Sequence, residues 1–226
     1  MKIVKILEHS FFAEPLASAT LILDCGANRG GFSQWASRNT PATIHAFEPD
    51  PSLNTVLPVT PRVVIHPFAV DGVSGSMELA QGVSNCSSGV YRESAAQKVV
   101  TVEKKALDEF WIENGKGAID LLKLDIEGAE LTLLPKVTEE FLVACTQITV
   151  EFHDFLQIED RSQILAIRDR LCSLGFSYIR FSHFTWGDCL FFNATKLGLS
   201  ARNIAWLKIR YKYFRGLGRL IRRKLD

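Results

Sequence analysis

An α/β fold built on a mostly parallel sheet is what the pattern of this chain predicts. Three observations predict it. Short apolar runs rich in Val, Ile and Leu recur at 20–25, 42–48, 62–70, 119–125 and 146–152. Helix-like stretches separate most of them, and glycine or proline punctuates the joins. The runs are apolar along their length rather than alternating, which demands a sheet covered on both faces. A chain of 226 residues with 47% hydrophobic and 23% charged side chains can bury a sizeable core without staples. Wholesale disorder, collagen and a disulfide-built miniprotein are excluded.

The elements follow in order. Residues 20–25 form a strand closed by an acid and a glycine, and a helix over 32–39 puts Phe32, Trp35 and Ala36 on one face. A second strand, 42–48, ends at Pro49; 51–57 is a short helix and 62–70 a third strand. The stretch 76–103 is richer in Ser, Gly and alternating Val, so it reads as an inserted hairpin or irregular excursion. A helix over 107–113 precedes a buried strand at 119–125, and a helix over 128–134 is stopped by Pro135. After the strand at 146–152, residues 162–174 carry apolar positions Ile164, Leu165, Ile167, Leu171 and Leu174, and Gly175 ends that helix. Strands 176–181 and 189–193 have only a loop through Trp186, Gly187 and Asp188 between them, so they pair antiparallel at the edge.

The net charge of +1 conceals an asymmetry. From Lys196 onward there are ten Lys and Arg residues and one acid, a net of +9; the first 195 residues carry 16 basic and 24 acidic side chains, a net of −8. The division expected is an acidic body over 1–195 and a basic amphipathic helix or tail over 196–226. Cys25, Cys86, Cys145, Cys172 and Cys189 form no CxxC pair, which argues against structural zinc and for reduced thiols. With no run of 18 apolar residues and no signal-peptide pattern, the expected compartment is the cytoplasm.

Ligands of open α/β sheets bind outside the carboxyl ends of the strands, where strand order reverses. Three strand ends carry suggestive residues. The first is D-C-G-A-N-R-G-G at 24–31, whose glycines permit a tight turn and close backbone approach before a helix N-terminus. The second is Glu48, 24 residues past Asp24, placed to accept both hydroxyls of a ribose. Asp24 beside the glycine loop would repel a pyrophosphate and attract an amino group or sulfonium, which favours S-adenosylmethionine over NAD. The third is L-K-L-D-I-E-G-A-E at 122–130, which puts Asp125 and Glu127 beside the expected cofactor.

These motifs, with F-E-P-D-P at 47–51, V-E-F-H at 150–153 and D-C-L-F-F-N at 188–193, resemble the FkbM family of S-adenosylmethionine-dependent methyltransferases. The resemblance spans about residues 20 to 193; Arg29 stands where the family often has an apolar residue. It implies a Rossmann-like class I methyltransferase fold with seven strands, the last antiparallel, and transfer to oxygen atoms of sugars or polyketides. By position it implies that Gly26, Asn28 and Gly30 line the methionine end of the cofactor. Asp24 would face the amino group, Glu48 the ribose, and Ala69 would lie near the adenine.

A sugar hydroxyl needs a general base, and the candidates are Glu127, Glu151 and His153. Glu151 and His153 alternate onto one side of their strand, so His153 is expected as base with Glu151 holding its tautomer; a Glu151–Lys123 pair across neighbouring strands is the structural alternative. Asp125, Glu127, Glu151 and His153 together also suit one Mg²⁺. His9, His45, His66 and His183 are expected to be structural or exposed.

In the tail, Lys208, Lys212, Arg215, Arg219 and Arg222 recur at helical spacing beside Leu207, Tyr211, Phe214, Ile221 and Leu225. That pattern suits a helix on an anionic membrane surface, and with it a lipid-linked glycan as acceptor, or else a helix docked on the acidic body. The expected partner is a sugar or glycan. RNA methylation is the rival motivated by the tail, though an acidic body repels phosphates. A non-catalytic module tethered through its tail is the third reading.

Overall fold

The structure, a computed structural model, describes residues 1–57, 60–81, 98–154, 161–182 and 184–211. A hairpin of β1 (Ile3–Ile6) and β2 (His9–Phe12) opens the chain. Then come β3 (Leu21–Cys25), α1 (Gly31–Asn39), β4 (Thr43–Phe47), α2 (Pro51–Asn54), β5 (Val63–His66), β6 (Ala69–Asp71), β7 (Gly75–Gln81) and β8 (Lys98–Ala106). The second half holds α3 (Leu107–Glu113), β9 (Leu121–Leu124), α4 (Glu130–Leu133), α5 (Glu139–Ala144), β10 (Gln147–Val150), α6 (Arg161–Ser173), β11 (Phe176–Arg180), β12 (Cys189–Asn193) and α7 (Ala201–Ile209).

Seven strands form the main sheet in the order β11-β12-β10-β9-β3-β4-β5, and β12 alone runs against the other six. This is the Rossmann-like arrangement expected, with the reversed strand one place in from the β11 edge. Order switches between β3 and β9, which opens a crevice at their carboxyl ends. Alternate side chains of each strand feed two cores. On one face Leu23, Leu122, Leu124, Ile148 and Phe191 pack with α3, α4, α5 and α6. On the other, Ile22, Ile44, Leu121 and Phe192 pack with α1, α7 and the opening hairpin.

The hairpin is a feature the sequence reading did not contain. It is riveted to the sheet by Gln147, whose amide accepts the Phe12 N–H at 2.8 Å and donates to the Phe12 carbonyl at 3.1 Å. Asp188 adds bonds to the Ser10 backbone N–H and hydroxyl.

The third strand expected over 62–70 is two strands. Pro67 has no N–H to donate, so β5 stops at His66 and β6 leaves the main sheet to pair parallel with β8. β7 and β8 pair antiparallel, as the hairpin expected in this region, and complete a second sheet in the order β6-β8-β7. Its far end, with Asn85, Ser87 and Ser88, lies outside the described residues. The helix expected from 128 begins only at Glu130, because Glu127 and Gly128 have φ of 56° and 100°, in the left-handed region. A helix absent from the expectation, α5, is capped by Thr138, whose hydroxyl accepts the Phe141 N–H.

In the tail, Ser200 caps α7 in a reciprocal capping box with Asn203. Leu207 is buried in the second core and Tyr211 packs edge-on against Phe181, so the apolar side of these turns faces the protein body. Lys212, Arg215, Arg219 and Arg222 lie outside the described residues. No helix of the described residues is long and apolar enough to cross a membrane.

Candidate functional site

A cavity of about 290 Å³ opens at the carboxyl ends of β4 and β9, under the second sheet. Phe47, Val70, Met77, Leu79, Ile126 and Ala129 give it apolar walls; Glu48, Asp71, Lys104, Asp125 and Glu127 set its polar points. Backbone meets backbone at its floor. Gly26 has φ of 78°, and a Cβ there would lie 1.8 Å from the Asp125 carbonyl oxygen. Only glycine permits that closeness of the loop after β3 to the tip of β9.

Glu48 stands at one end of the cavity. Its Oε2 accepts the Asn28 N–H at 2.7 Å and its Oε1 accepts the Asp50 N–H at 2.9 Å. Asn28 has φ of 51°, so this bond holds a left-handed turn of the glycine loop. Burial raises the Glu48 pKa, and the two N–H groups partly offset it. A carboxylate has about four lone-pair sites, so two remain for a ligand.

Deeper in, a polar row crosses three strands in register, Asp24 beside Lys123 beside Thr149. Lys123 Nζ lies 3.1 Å from Asp24 Oδ1 and 3.6 Å from Asp125 Oδ2, and donates to the Gly26 carbonyl at 2.6 Å. Burial opposes the lysine's charge, but Asp24 and Asp125 outweigh it and raise its pKa. Asp125 is held well below the usual carboxylate range, burial being outweighed by Lys123 and His9. The hairpin's His9 completes the row. Its Nε2 lies 3.4 Å from Asp125 Oδ2 and its Nδ1 3.4 Å from Thr149 Oγ1, which assigns the proton to Nε2.

Beside the row lies a charged cluster. His153 Nε2 is 3.1 Å from Glu127 Oε2 and 3.9 Å from Asp125 Oδ1; its Nδ1 is 3.9 Å from Glu130 Oε2. Burial works against the imidazolium, but Glu127, Glu130 and Asp125 raise its pKa to about 9. Burial and the charge of Asp125 push Glu151 to about 7. Glu130 is fully buried and ties the loop together: its oxygens accept the Ile126 and Gly128 N–H groups at 2.6 and 2.8 Å.

The structure therefore brings Gly26, Glu48, Ala69, Asp125 and Glu127 into one cavity wall. Asn28 and Gly30 shape the adjoining loop rather than the wall, Gly30 as the left-handed residue before α1. Asp24 differs from expectation. It is fully buried, accepts a 2.6 Å bond from the Ser33 hydroxyl and is paired with Lys123, so it does not face the cavity. Around His153 the structure places more than the expected Glu151. The imidazole turns to Glu127 and Glu130, and a histidine with a pKa of about 9 is already protonated at neutral pH. Nor does Lys123 pair with Glu151; Asp24, its register neighbour, is its partner.

Ligand atoms of Asp125, Glu127 and His153 lie within 4.8 Å of one another, as do those of His9, Asp125 and Glu151. Both groups are charge-paired as they stand, through Lys123 and the His153 imidazolium. Four residues of the site had no expected role: His9, Glu130, Asp71 and Lys104. Asp71 and Lys104 pair at 2.7 Å on the cavity rim. Glu130 alone had a local signal, an acid opening a helix after a glycine turn.

The chain is similar to methyltransferase sdnD of Sordaria araneosa, at 29% identity over 64% of this chain and 70% of that one. Among solved structures it is similar to a putative methyltransferase from an antibiotic biosynthesis pathway of Anabaena variabilis ATCC 29413. That likeness has 12% identity and a TM-score of 0.32, and it covers 73% of this chain but only 59% of the other's length. It is similar too to precorrin-6y C5,15-methyltransferase from Geobacter metallireducens GS-15, at 12% identity and a TM-score of 0.39 over 79% and 82% of the two chains. The methyltransferase FkbM domain model matches residues 24–178, from the first residue of the glycine loop into β11. That match takes in the cavity, the charged cluster and the buried row apart from His9, and by it the chain belongs to the FkbM methyltransferase family.

Proposed function

We propose that this chain binds S-adenosylmethionine in the cavity between β4 and β9 and methylates a hydroxyl oxygen of a sugar, glycan or related small molecule. One observation carries the reading: an apolar cavity at the switch point of the sheet, closed at one end by a buried carboxylate with lone pairs to spare. The residues fit the cofactor. Phe47, Met77, Leu79 and Ile126 offer flat and flexible apolar surface for an adenine beside Ala69, and Glu48 would accept the ribose hydroxyls. Gly26 would let the methionine end lie against backbone, on a loop whose turns Asn28 and Gly30 set. Asp24 acts at second hand, by fixing Lys123 under the loop.

When bound, S-adenosylmethionine supplies a methyl group already activated for transfer. The chain's part is to orient the acceptor and take its proton. Holding the reactants in line is worth roughly 7–11 kcal/mol. Glu151, with its pKa raised to about 7, is the base: it accepts the acceptor's hydroxyl proton on its carboxylate. His153 stays protonated and is a positioning residue that holds Glu127 at the cavity mouth. These roles replace the expected one in which His153 was the base.

Titration calorimetry of the purified chain with S-adenosylmethionine, S-adenosylhomocysteine and NAD tests the cofactor. Binding of the first two, lost in Glu48→Ala, is expected; binding of NAD, or of none, sinks the reading. Transfer of an isotopically labelled methyl group to a panel of sugars tests the reaction. Glu151→Gln should then lower turnover about 10²–10⁴-fold and leave cofactor binding intact.

A further inference from the structure

A second cavity, of about 490 Å³, runs along the outer edge of β11 between α6 and α7. Four cations line it, Arg161, Arg168 and Arg180 from the α6 side and the strand, and Lys208 from α7. Of the four cations, Arg168 pairs with the adjoining Asp169 at 2.6 Å, and no carboxylate is among the groove's described lining residues. That is the reverse of the surrounding body, which is acidic. The floor is aromatic. Tyr178 stacks on Trp186 with centroids 5.9 Å apart, the Arg180 guanidinium lies 5.2 Å over Trp186, and Lys208 Nζ lies 5.2 Å over Tyr178. A ring face holds a cation in place without cancelling its charge.

The groove sits at the catalytic end of the sheet. Cys189 pairs with Arg180 on one side and with Val150 on the other, so the groove and the residue before Glu151 share one level. Two strand spacings, roughly 10 Å, separate them. Trp186 ties the two places together: its backbone N–H donates to Asp154 at 2.9 Å and its backbone carbonyl accepts from Phe152 N–H, on either side of His153.

We propose that this groove is the subsite for a phosphate or diphosphate ester carried by the acceptor, with the attached sugar reaching toward Glu151. Guanidinium forks grip phosphate oxygens in pairs, and the aromatic floor holds Arg180 and Lys208 in position to do so. An acidic body would direct such an acceptor toward this basic groove. The inference rests on the proposed reaction for its sugar end, while the phosphate end is testable without cofactor or turnover.

The test uses the full chain and calorimetric titration with inorganic pyrophosphate and with UDP-glucose, at two salt concentrations. Binding of both is expected, weakened at least tenfold in Arg161→Gln/Lys208→Gln and retained in Arg161→Lys. S-adenosylmethionine titration of the same variants should be unchanged, which checks their folding at the cofactor site. Flotation with vesicles of phosphatidylcholine containing a polyprenyl diphosphate then separates the sources. Flotation that pyrophosphate competes away assigns the ester to a lipid carrier, and pyrophosphate binding without flotation assigns it to a soluble sugar phosphate; both uphold the subsite. Failure of pyrophosphate to bind, equal binding by the double Gln variant, or preference for an RNA oligonucleotide overturns it. Pyrophosphate binding in a chain that ignores S-adenosylmethionine would keep the groove and reject the cofactor reading.

Discussion

Lys123 Nζ and Asp24 Oδ1 meet 3.1 Å apart on adjacent strands, and both side chains are all but closed to solvent. The pair sits under the glycine loop, whose Gly26 carbonyl the same ammonium holds. A buried ion pair adds little by itself, but removing one partner strands the other in a low dielectric. Lys123→Met should therefore destabilise the chain by about 3–5 kcal/mol, and Lys123→Met with Asp24→Asn by much less. Urea denaturation of the three proteins measures it; equal loss in the single and double variants would show that the pair is not what matters.

The raised pKa values of Glu151 and His153 predict a bell-shaped rate profile. Glu151 must lose its proton to act, so turnover rises through about pH 7; His153 must keep its proton, so turnover falls above about pH 9. Because these groups interact, with Glu8, Asp125 and Glu127 facing Glu151 and Glu127, Glu130 and Asp125 facing His153, the two apparent values belong to the cluster. Glu127→Gln should move the alkaline limb downward, and the imidazole titration followed by NMR should move with it.

The same shifts have a stability consequence of fixed sign. Both groups have folded pKa values above their ordinary ones, so their contributions are present at low pH and lost as pH rises. For Glu151 the window runs from about 4.5 to about 7, and for His153 from about 6.5 to about 9. Thermal melts should show Glu151→Gln more stable than the parent at pH 8 and indistinguishable from it at pH 4. A constant difference across that range would contradict the assignment.

Gly26→Ala should fail twice. Its φ of 78° is strained for any L side chain, by about 1–3 kcal/mol, and the new methyl would drive the loop off Asp125. Lower stability by urea denaturation together with loss of S-adenosylmethionine binding is the expected outcome. Normal binding would mean that the cofactor does not use this floor.

Gln147 predicts a local rather than global effect. Gln147→Leu keeps the volume but leaves the buried Phe12 N–H and carbonyl without their partner, at about 1–3 kcal/mol for each. Hydrogen exchange in β1 and β2 should accelerate while β3, β9 and β10 stay protected.

What the sequence made legible is what lies on local pattern. Glu48 and Asp125 stand where an apolar run meets a turn, and the sheet places them at the cavity, whereas Asp24 lies inside β3 and turns to Lys123. The partner of Lys123 was hidden, because within L-L-K-L its meaning comes from Asp24, far away in sequence but adjacent in register. His9 was missed for the same reason: nothing in H-S-F-F marks a residue whose partners are Asp125 and Thr149. The contacts of His153 with Glu127 and Glu130 were not legible, because β10 ends at Val150 and the chain beyond it does not follow strand alternation. The single strand expected over 62–70 overlooked Pro67, the one residue in that run unable to continue a ladder.

The opening hairpin also sets an order of events. His9, Ser10 and Phe12 bond to residues 116 to 178 positions further along the chain, Asp125, Gln147, Thr149 and Asp188. Contacts of such sequence separation form late and slowly. The strands β3 and β4 and the helix α1 can pack together before the hairpin is pinned, and the hairpin locks in place only once β10 and β12 have docked.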